Sequence, residues 1–262
     1  MPIPEPFSRF PARVARSVIG VMTDIDDTLT TAGAITPDAL AALARLRAAG
    51  LPVVAITGRP LGWSLPFARD WPVAAIVAEN GAVALLSDGG VEYAQDAPTR
   101  QHNARRLADV AARVLREVDG ARLAQDSRGR VTDIAIDHAE HAQLPAEAIE
   151  RVVQIMQSEG MKASVSSIHI NGWFGEHDKR SGARWIVQRL YGRALDAEID
   201  RWLYVGDSTN DQAMFAAFRL SVGVANLMDF ADRLTVWPAY LTPGARGAGF
   251  AEVAEALLAA RT

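Results

Sequence analysis

The stretch VMTDIDDTLT, residues 21–30, places three aspartates within four positions, at Asp24, Asp26 and Asp27, directly after an apolar run. The run that leads into it, SVIGVMTDI, is rich in β-forming residues and predicts a buried strand with the aspartates at its carboxyl end. Like charges this close repel one another, and a solvated loop gains nothing from such crowding. The stretch therefore indicates a functional site at the end of a buried strand.

Strands and helices alternate after this stretch. Residues 36–50, TPDALAALARLRAAG, predict a helix that Thr36 caps and Gly50 ends. LPVVAIT and VAAIVAE predict further buried strands, with a short helix around residues 63–69 between them, and NGAVALL begins a hairpin. The same alternation of predicted strands and helices recurs near the carboxyl end, in SGARWIVQRLYG, WLYVG, DQAMFAAF, RLSVGVA and FAEVAEALLAA. This alternation predicts a parallel sheet with helices packed on its faces.

The middle of the chain follows a different pattern. A long helix at 99–118 precedes three predicted strands, in ARLAQD, RVTDIAIDH and KASVSSIHINGWF, with a helix at about 146–158 between the last two. Apolar and polar residues alternate in these strands, which predicts a sheet buried on one face only. We therefore predict an α/β domain at 87–176, inserted into a core formed by 1–86 and 177–262.

Composition excludes several classes of protein. The 262 residues carry a net charge of −4 and no cysteine, so disulfides and thiolate metal sites are absent and no basic surplus indicates nucleic-acid binding. No apolar run reaches the roughly 18 residues that span a bilayer. The first seventeen residues, MPIPEPFSRFPARVARS, lack the apolar segment of a secretory signal, and VARS at their end is expected to be a solvated leader. We expect a cytoplasmic protein with no membrane partner; the sequence does not indicate its oligomeric state.

Two acidic clusters are expected to meet in one crevice. Asp24 and Asp26 end the first strand, and Asp207 and Asp211 follow the strand WLYVG. Sites in parallel sheets form at the carboxyl ends of strands. Crowded carboxylates stay ionised when a hard divalent cation neutralises them, and Mg²⁺ typically binds one or two carboxylates together with substrate phosphate. The pattern therefore predicts phosphoryl chemistry.

The other groups that phosphoryl transfer needs can be found in the sequence. Asp24 can serve as the nucleophile and Asp26 as the general acid. Thr57 ends the second strand, where its hydroxyl and the Gly58 amide can donate hydrogen bonds to phosphate. Lys179, in HDKRSG, follows the insert and can supply positive charge, with Arg180 as a rival.

Together these segments resemble the haloacid dehalogenase superfamily of phosphatases. DIDDT is similar to its D-x-D-x-T motif, ITGR to the second motif, Lys179 to the third, and GDSTND to the fourth. ENGA and the long insert resemble subfamily IIB, which has a type-2B cap and includes Cof-like and sucrose-phosphate phosphatases. One departure is Asp27, at a position that is often glycine in the family; it is interpreted as a structural residue.

The resemblance implies a Rossmann-like parallel-sheet core with an inserted α/β cap. It also implies Mg²⁺ as cofactor, bound by the Asp24 carboxylate, the Asp26 main-chain carbonyl and Asp207, with Asp211 acting directly or through water. Asn210 would help to hold Lys179.

The function predicted from the sequence is a Mg²⁺-dependent phosphomonoester hydrolase that acts through an aspartyl-phosphate. A small phosphorylated molecule, a sugar phosphate or phosphorylated glycoside, is the expected substrate from the resemblance. Two alternatives stay open: a phosphomutase on the same scaffold, and a non-enzymatic phosphosugar-binding protein.

Candidate substrate contacts lie on the polar faces of the insert's strands. Apolar side chains such as Ile134, Ile136 and Ile170 are expected to pack on the two helices, which leaves the opposite faces exposed above the crevice. Those faces carry Arg122, Asp133, His169 and Asn171, with Trp173 as a lip residue. The alternative is that these faces only meet solvent, and His138 and His141 are expected in a solvated turn.

Overall fold

The computed structural model describes residues 4–261. Its strands are β1 (Glu5–Pro6), β2 (Gly20–Thr23), β3 (Thr30–Thr31), β4 (Ala34–Ile35), β5 (Val53–Ile56), β6 (Ala75–Ala78), β7 (Val83–Leu86), β8 (Val91–Tyr93), β9 (Arg122–Leu123), β10 (Asp133–Asp137), β11 (Lys162–Val165), β12 (His169–Trp173), β13 (Trp202–Gly206), β14 (Leu220–Gly223) and β15 (Tyr240–Leu241). Its α-helices are α1 (Ala12–Ser17), α2 (Pro37–Ala48), α3 (Leu61–Asp70), α4 (Ala97–Glu117), α5 (Ala146–Ser158), α6 (Lys179–Tyr191), α7 (Leu195–Glu198), α8 (Gln212–Ala217) and α9 (Arg246–Ala259).

A nine-stranded sheet forms the centre of the molecule, in the order β1-β15-β14-β13-β2-β5-β6-β7-β8. The pairs from β1 through β6 are parallel, and β7 and β8 continue the sheet as antiparallel hairpins. Apolar clusters cover both faces of this sheet, as its continuous apolar strands require. The predicted α/β fold with a parallel, Rossmann-like core is confirmed.

Local signals explain the helix ends. The Thr36 side chain accepts a hydrogen bond from the Ala39 amide at the start of α2, and Gly50 follows that helix with a φ of +71°. Helix α6 begins after Asp178, whose side chain accepts from the Ser181 amide in a capping box. This cap fixes the position of Lys179, the first residue of the helix, beside the strand ends.

A second sheet of four strands, in the order β11-β12-β10-β9, lies in the insert. Helices α4 and α5 pack on one of its faces through an apolar cluster that includes Leu107, Val114, Ile136, Ile155 and Ile170. The inserted α/β layer therefore has its own small core.

Two details of this insert differ from the sequence prediction. KASVSSIHINGWF forms two antiparallel strands, β11 and β12, because the chain turns at Ser166, whose hydroxyl accepts from the Ile168 and His169 amides. The polar face was expected to be exposed, but Asp133, His169 and Asn171 are all buried. Their face packs against the core instead of meeting solvent.

The amino-terminal segment also differs from the expected solvated leader. Residues 4–17 contain β1 and α1, and the Phe7 and Ala15 side chains are buried in the core cluster. Arg261 holds α1 in place by donating hydrogen bonds to the Ala15 and Val18 carbonyls. Within residues 4–261, no helix is long and apolar enough to cross a membrane.

Candidate active site

Neighbouring strands bring three carboxylates together. Asp24 follows β2, and Asp207 follows the adjacent strand β13. The Asp24 amide donates to the Val205 carbonyl at 2.9 Å, which ties the two strand ends to each other. Oxygens of Asp24, Asp207 and Asp211 lie within 4.8 Å of one another, and all three residues are buried. The predicted meeting of the two acidic clusters is present in the fold.

Lys179 inserts its ammonium group into this acidic cluster. Its Nζ lies 2.7 Å from Asp24 Oδ1 and 2.7 Å from Asp211 Oδ1. The rival cation, Arg180, is on the surface and pairs with Asp196. Burial alone would lower the pKa of Lys179, but Asp211 and Asp24 outweigh it and raise the pKa above its usual value. Lys179 is therefore held as a cation between the two aspartates.

Other hydrogen-bond donors besides Lys179 hold the Asp211 carboxylate in place. Tyr204 donates its hydroxyl to Oδ1, and the Asp207 and Ser208 amides donate to Oδ2. Asn210, expected to hold Lys179, instead accepts a hydrogen bond from the Ser208 hydroxyl at 3.0 Å. The partners of the lysine are thus carboxylates, and Asp211 orients the lysine.

The charge balance of the cluster favours a divalent cation. Burial raises the pKa of Asp24 to about 7, although Lys179 opposes this. Burial and the neighbouring Asp24 and Asp211 raise the pKa of Asp207 well above its usual range. Within residues 4–261, the Asp207 carboxylate accepts only long hydrogen bonds, at 3.4 Å from the Thr28 hydroxyl and 3.4 Å from the Asn226 side-chain amide. Its oxygens thus have lone pairs available, and the all-oxygen donor set fits a hard cation such as Mg²⁺.

The turn after β5 lies against the insert. Thr57 is fully buried, and its hydroxyl accepts from the Arg59 amide at 3.0 Å. The Gly58 carbonyl accepts from Arg130 Nη1 at 2.9 Å and from Asn171 Nδ2 at 3.3 Å. One turn therefore presents the predicted phosphate donors and also anchors the insert.

Arg59 is a site residue that the sequence reasoning missed. Its Nε donates to both carboxylate oxygens of Asp26, at 2.9 and 3.0 Å. Its other nitrogens reach the insert, with Nη2 2.8 Å from Glu140 Oε1 and Nη1 3.2 Å from Asp126 Oδ2. Burial alone would lower the pKa of Arg59, but the Asp26 charge raises it. The motif ITGR contains this arginine, yet its partner Glu140 is 81 positions away, so local sequence could not reveal the contact.

The candidates on the insert occupy three different environments. Asp133 pairs with Arg130 at 2.9 Å and accepts from Asn171, and burial raises the pKa of Asp133 to about 7. His169 Nε2 lies 2.8 Å from Glu140 Oε2. Arg122 lies exposed on the edge strand β9. Asp133 and Asn171 thus contact the core at Asn80 and Gly58, and His169 contacts Glu140 in the insert, whereas Arg122 lies exposed on the edge of the sheet.

Trp173 is not a lip residue. The residue is 4% exposed, its Nε1 donates to the His177 carbonyl at 2.9 Å, and its ring stacks on the His177 ring. His138 also differs from the expected solvated turn. It is buried, with Nε2 3.0 Å from the Ser166 carbonyl, and burial lowers its pKa.

The contacts of Asp27 are consistent with its interpretation as a structural residue. Its φ is +53°, in the left-handed region where glycine is at ease. Arg246 Nε donates to Asp27 Oδ1 at 3.0 Å, and Asn226 donates to the Asp27 carbonyl. These contacts support an aspartate at a strained backbone position.

Glu79 joins the insert to the core from within the ENGA segment. It is fully buried and accepts hydrogen bonds from the amides of Leu61 in the core and of Val131 and Thr132 in the insert. The Thr132 hydroxyl also donates to Glu79 Oε2. One carboxylate therefore satisfies donors from both layers.

Replacing Glu79 by Ala is expected to reduce the free energy of unfolding by about 3 kcal/mol, because one buried and two part-buried amides lose their acceptor. Urea unfolding followed by circular dichroism measures the change. Glu150→Ala, on the exposed side of α5, is the matched control and should change stability by no more than about 0.5 kcal/mol. Equal effects of the two substitutions would contradict the role assigned to Glu79.

Comparison with known proteins agrees with this geometry. A family model described as haloacid dehalogenase-like hydrolase matches residues 21–113, which include the first two motifs. This part of the chain therefore matches the family that its first two motifs resemble. A phosphoglycolate phosphatase of Pyrobaculum neutrophilum is 27% identical over 243 residues, covering 91% of this chain and 95% of that protein.

Solved structures of haloacid dehalogenase-like hydrolases share the whole fold. A haloacid dehalogenase/Cof-like hydrolase from Plasmodium vivax has a TM-score of 0.70 at 17% identity, covering 95% of this chain and 99% of that one. The sucrose-phosphatase of Synechocystis sp. PCC6803, solved with sucrose and phosphate, has a TM-score of 0.64 at 16% identity, covering 92% of this chain and 98% of that one. These matches confirm the predicted superfamily and the assignment as a phosphatase-type enzyme, and they are consistent with the predicted subgroup.

Proposed function

We propose that this haloacid dehalogenase-like hydrolase is a Mg²⁺-dependent phosphomonoester hydrolase that acts through an aspartyl-phosphate on a sugar phosphate or phosphorylated glycoside. The observation that carries the proposal is the pairing of Asp24 with Lys179 at 2.7 Å inside a buried acidic cluster. A carboxylate held beside a fixed cation can attack a phosphorus atom while the cation stabilises the equatorial oxygens.

In the first half-reaction, an Asp24 oxygen attacks phosphorus and the bond from phosphorus to the ester oxygen breaks. The departing alkoxide takes a proton from the Asp26 carboxyl group, which leaves an aspartyl-phosphate and a free alcohol. Arg59 fixes the orientation of the Asp26 carboxyl group by its two contacts with it.

In the second half-reaction, Asp26 accepts a proton from water, and the water oxygen attacks phosphorus. The bond from phosphorus to Asp24 breaks, which releases inorganic phosphate and restores both carboxyl groups to their starting forms. Lys179 stays between Asp24 and Asp211 throughout, and the Thr57 hydroxyl and Gly58 amide donate to the transferring oxygens.

Asp24, Asp207 and Asp211, with the Asp26 main-chain carbonyl, would hold Mg²⁺. The ion would neutralise charge on the substrate phosphate and on the crowded carboxylates. In this proposal the four-stranded sheet with α4 and α5 acts as the cap, and the layers around the nine-stranded sheet carry the chemistry. The fold shared with a sucrose-phosphatase supports a hydroxyl-rich substrate.

A steady-state assay tests the proposed function. The purified chain should release inorganic phosphate from p-nitrophenyl phosphate and from sugar phosphates, with no added bisphosphate. A phosphomutase would instead interconvert sugar phosphates and require an activating bisphosphate. Binding of a sugar phosphate without any phosphate release would contradict the proposed enzyme and favour a binding protein.

A further inference from the structure

A cavity of about 300 Å³ opens beside the proposed general acid. Core and insert both line it, through Asp26, Asp27, Thr30, Ala32, Gly33, Arg59, Ala139, Glu140, His141 and Ile168. In the proposed reaction the departing alcohol takes a proton from Asp26, so the alcohol must lie on this side of the phosphate. The cavity is therefore the space available to the leaving group, and the inference drawn from it rests on the proposed function.

The arginine in the cavity wall offers no free donor. The Arg59 side chain is 5% exposed, and each of its three nitrogens is paired with a carboxylate, of Asp26, Asp126 or Glu140. An anionic leaving group would have to displace one of these carboxylates to reach the guanidinium. The cavity thus contains a cation that is already neutralised.

Three carboxyl groups and one guanidinium line the cavity, those of Asp26, Asp27, Glu140 and Arg59. Asp126 pairs with both Arg59 and Arg130, and Asp27 pairs with Arg246. Glu140 is the most exposed member of the Arg59 pairs, with 20% of its side chain accessible. The hydrogen bond with His169, followed by that from Arg59, lowers the pKa of Glu140 to about 2, so the side chain is charged at neutral pH.

We infer that Glu140 is a specificity-determining residue, which selects phosphate esters of neutral, hydroxyl-bearing alcohols against those whose leaving group carries a carboxylate. Hydroxyl groups can donate to the Glu140 and Asp26 oxygens. A carboxylate in the same place is repelled by the like charge of Glu140. Because the site is partly buried, this repulsion is poorly screened and weakens binding of the anionic substrate strongly. This selection is opposite to the substrate in the name of the archaeal relative, since glycolate is an anionic leaving group.

The test uses two substrates of the same length that differ at one carbon, glycerol 3-phosphate and 3-phosphoglycerate. For the wild-type chain, kcat/KM should be at least about tenfold higher for glycerol 3-phosphate. Glu140→Gln removes the charge and keeps one oxygen that can accept from Arg59, while its amide group takes the place of the oxygen near His169. It should raise the ratio of kcat/KM for 3-phosphoglycerate to kcat/KM for glycerol 3-phosphate by roughly five- to tenfold.

Glu150→Gln is the matched control, because it removes the same charge from an exposed position on α5 and should leave both values unchanged. Inhibition by inorganic phosphate should be the same in all three proteins, which shows that the phosphate site is intact. Wild-type preference for 3-phosphoglycerate, or an unchanged ratio in Glu140→Gln, would overturn the role of Glu140 and leave the phosphatase proposal standing. Failure to hydrolyse these esters and p-nitrophenyl phosphate would overturn both.

Discussion

Asp24→Asn should reduce phosphatase turnover by at least roughly a thousandfold while the fold survives, because an amide cannot form the acyl-phosphate bond. The substitution keeps the shape of the side chain and an oxygen that can accept from Lys179. It also removes one charge from a cluster in which like charges crowd, so the urea unfolding midpoint should not fall. Steady-state phosphate release and urea unfolding measure the two effects.

Asp109→Asn provides the control, since this aspartate is exposed on α4 and distant in sequence from every motif. Acid quenching with ³²P-labelled substrate adds a direct readout of the intermediate. Asp26→Asn should accumulate protein-bound label from p-nitrophenyl phosphate, because p-nitrophenolate leaves without a proton whereas hydrolysis of the intermediate still needs the base. Near-normal turnover in Asp24→Asn would rule out the covalent mechanism.

Removal of divalent metal should abolish activity, and Mg²⁺ should restore it. Asp207→Ala should raise the Mg²⁺ concentration needed for half-maximal activity by tenfold or more, because one first-sphere carboxylate is lost from the proposed site. Calorimetric titration of Mg²⁺ into the protein measures the same loss without turnover. Asp200→Ala is a suitable control, since that aspartate is exposed and pairs only loosely with Arg219, at 3.6 Å. Full activity of the wild-type chain in excess chelator would contradict the metal site.

Local sequence was sufficient for the parts of the fold that depend on local chemistry. Apolar runs fixed the central strands, Thr36 and Gly50 bounded α2, and the strand ends placed Asp24 beside Asp207. Parallel pairing brings the carboxyl ends of such strands to one edge of the sheet, whatever the conformation of the connecting loops. The acidic cluster could be predicted for this reason.

Contacts between the insert and the core could not be predicted in the same way. Alternation in β10 and β12 indicates two faces, but it does not tell whether a polar face meets water or another polar surface. Here it meets the turn at Gly58 and is buried, with Arg130 and Asn171 bonded to that carbonyl. The contact of Arg59 with Glu140 depends on the packing of the whole insert, so no short motif encodes it.

The hydrogen bonds to the Glu79 carboxylate allow separation of the insert from the core to be followed at individual backbone amides. Val131 and Thr132 donate to it from the insert, and Leu61 donates to it from the core. If the insert swings away and Glu79 stays with β6, the Val131 and Thr132 hydrogens become free to exchange with deuterated water while the Leu61 hydrogen stays protected. The difference in their exchange rates would then report the free energy of opening of the crevice, in the absence of any substrate.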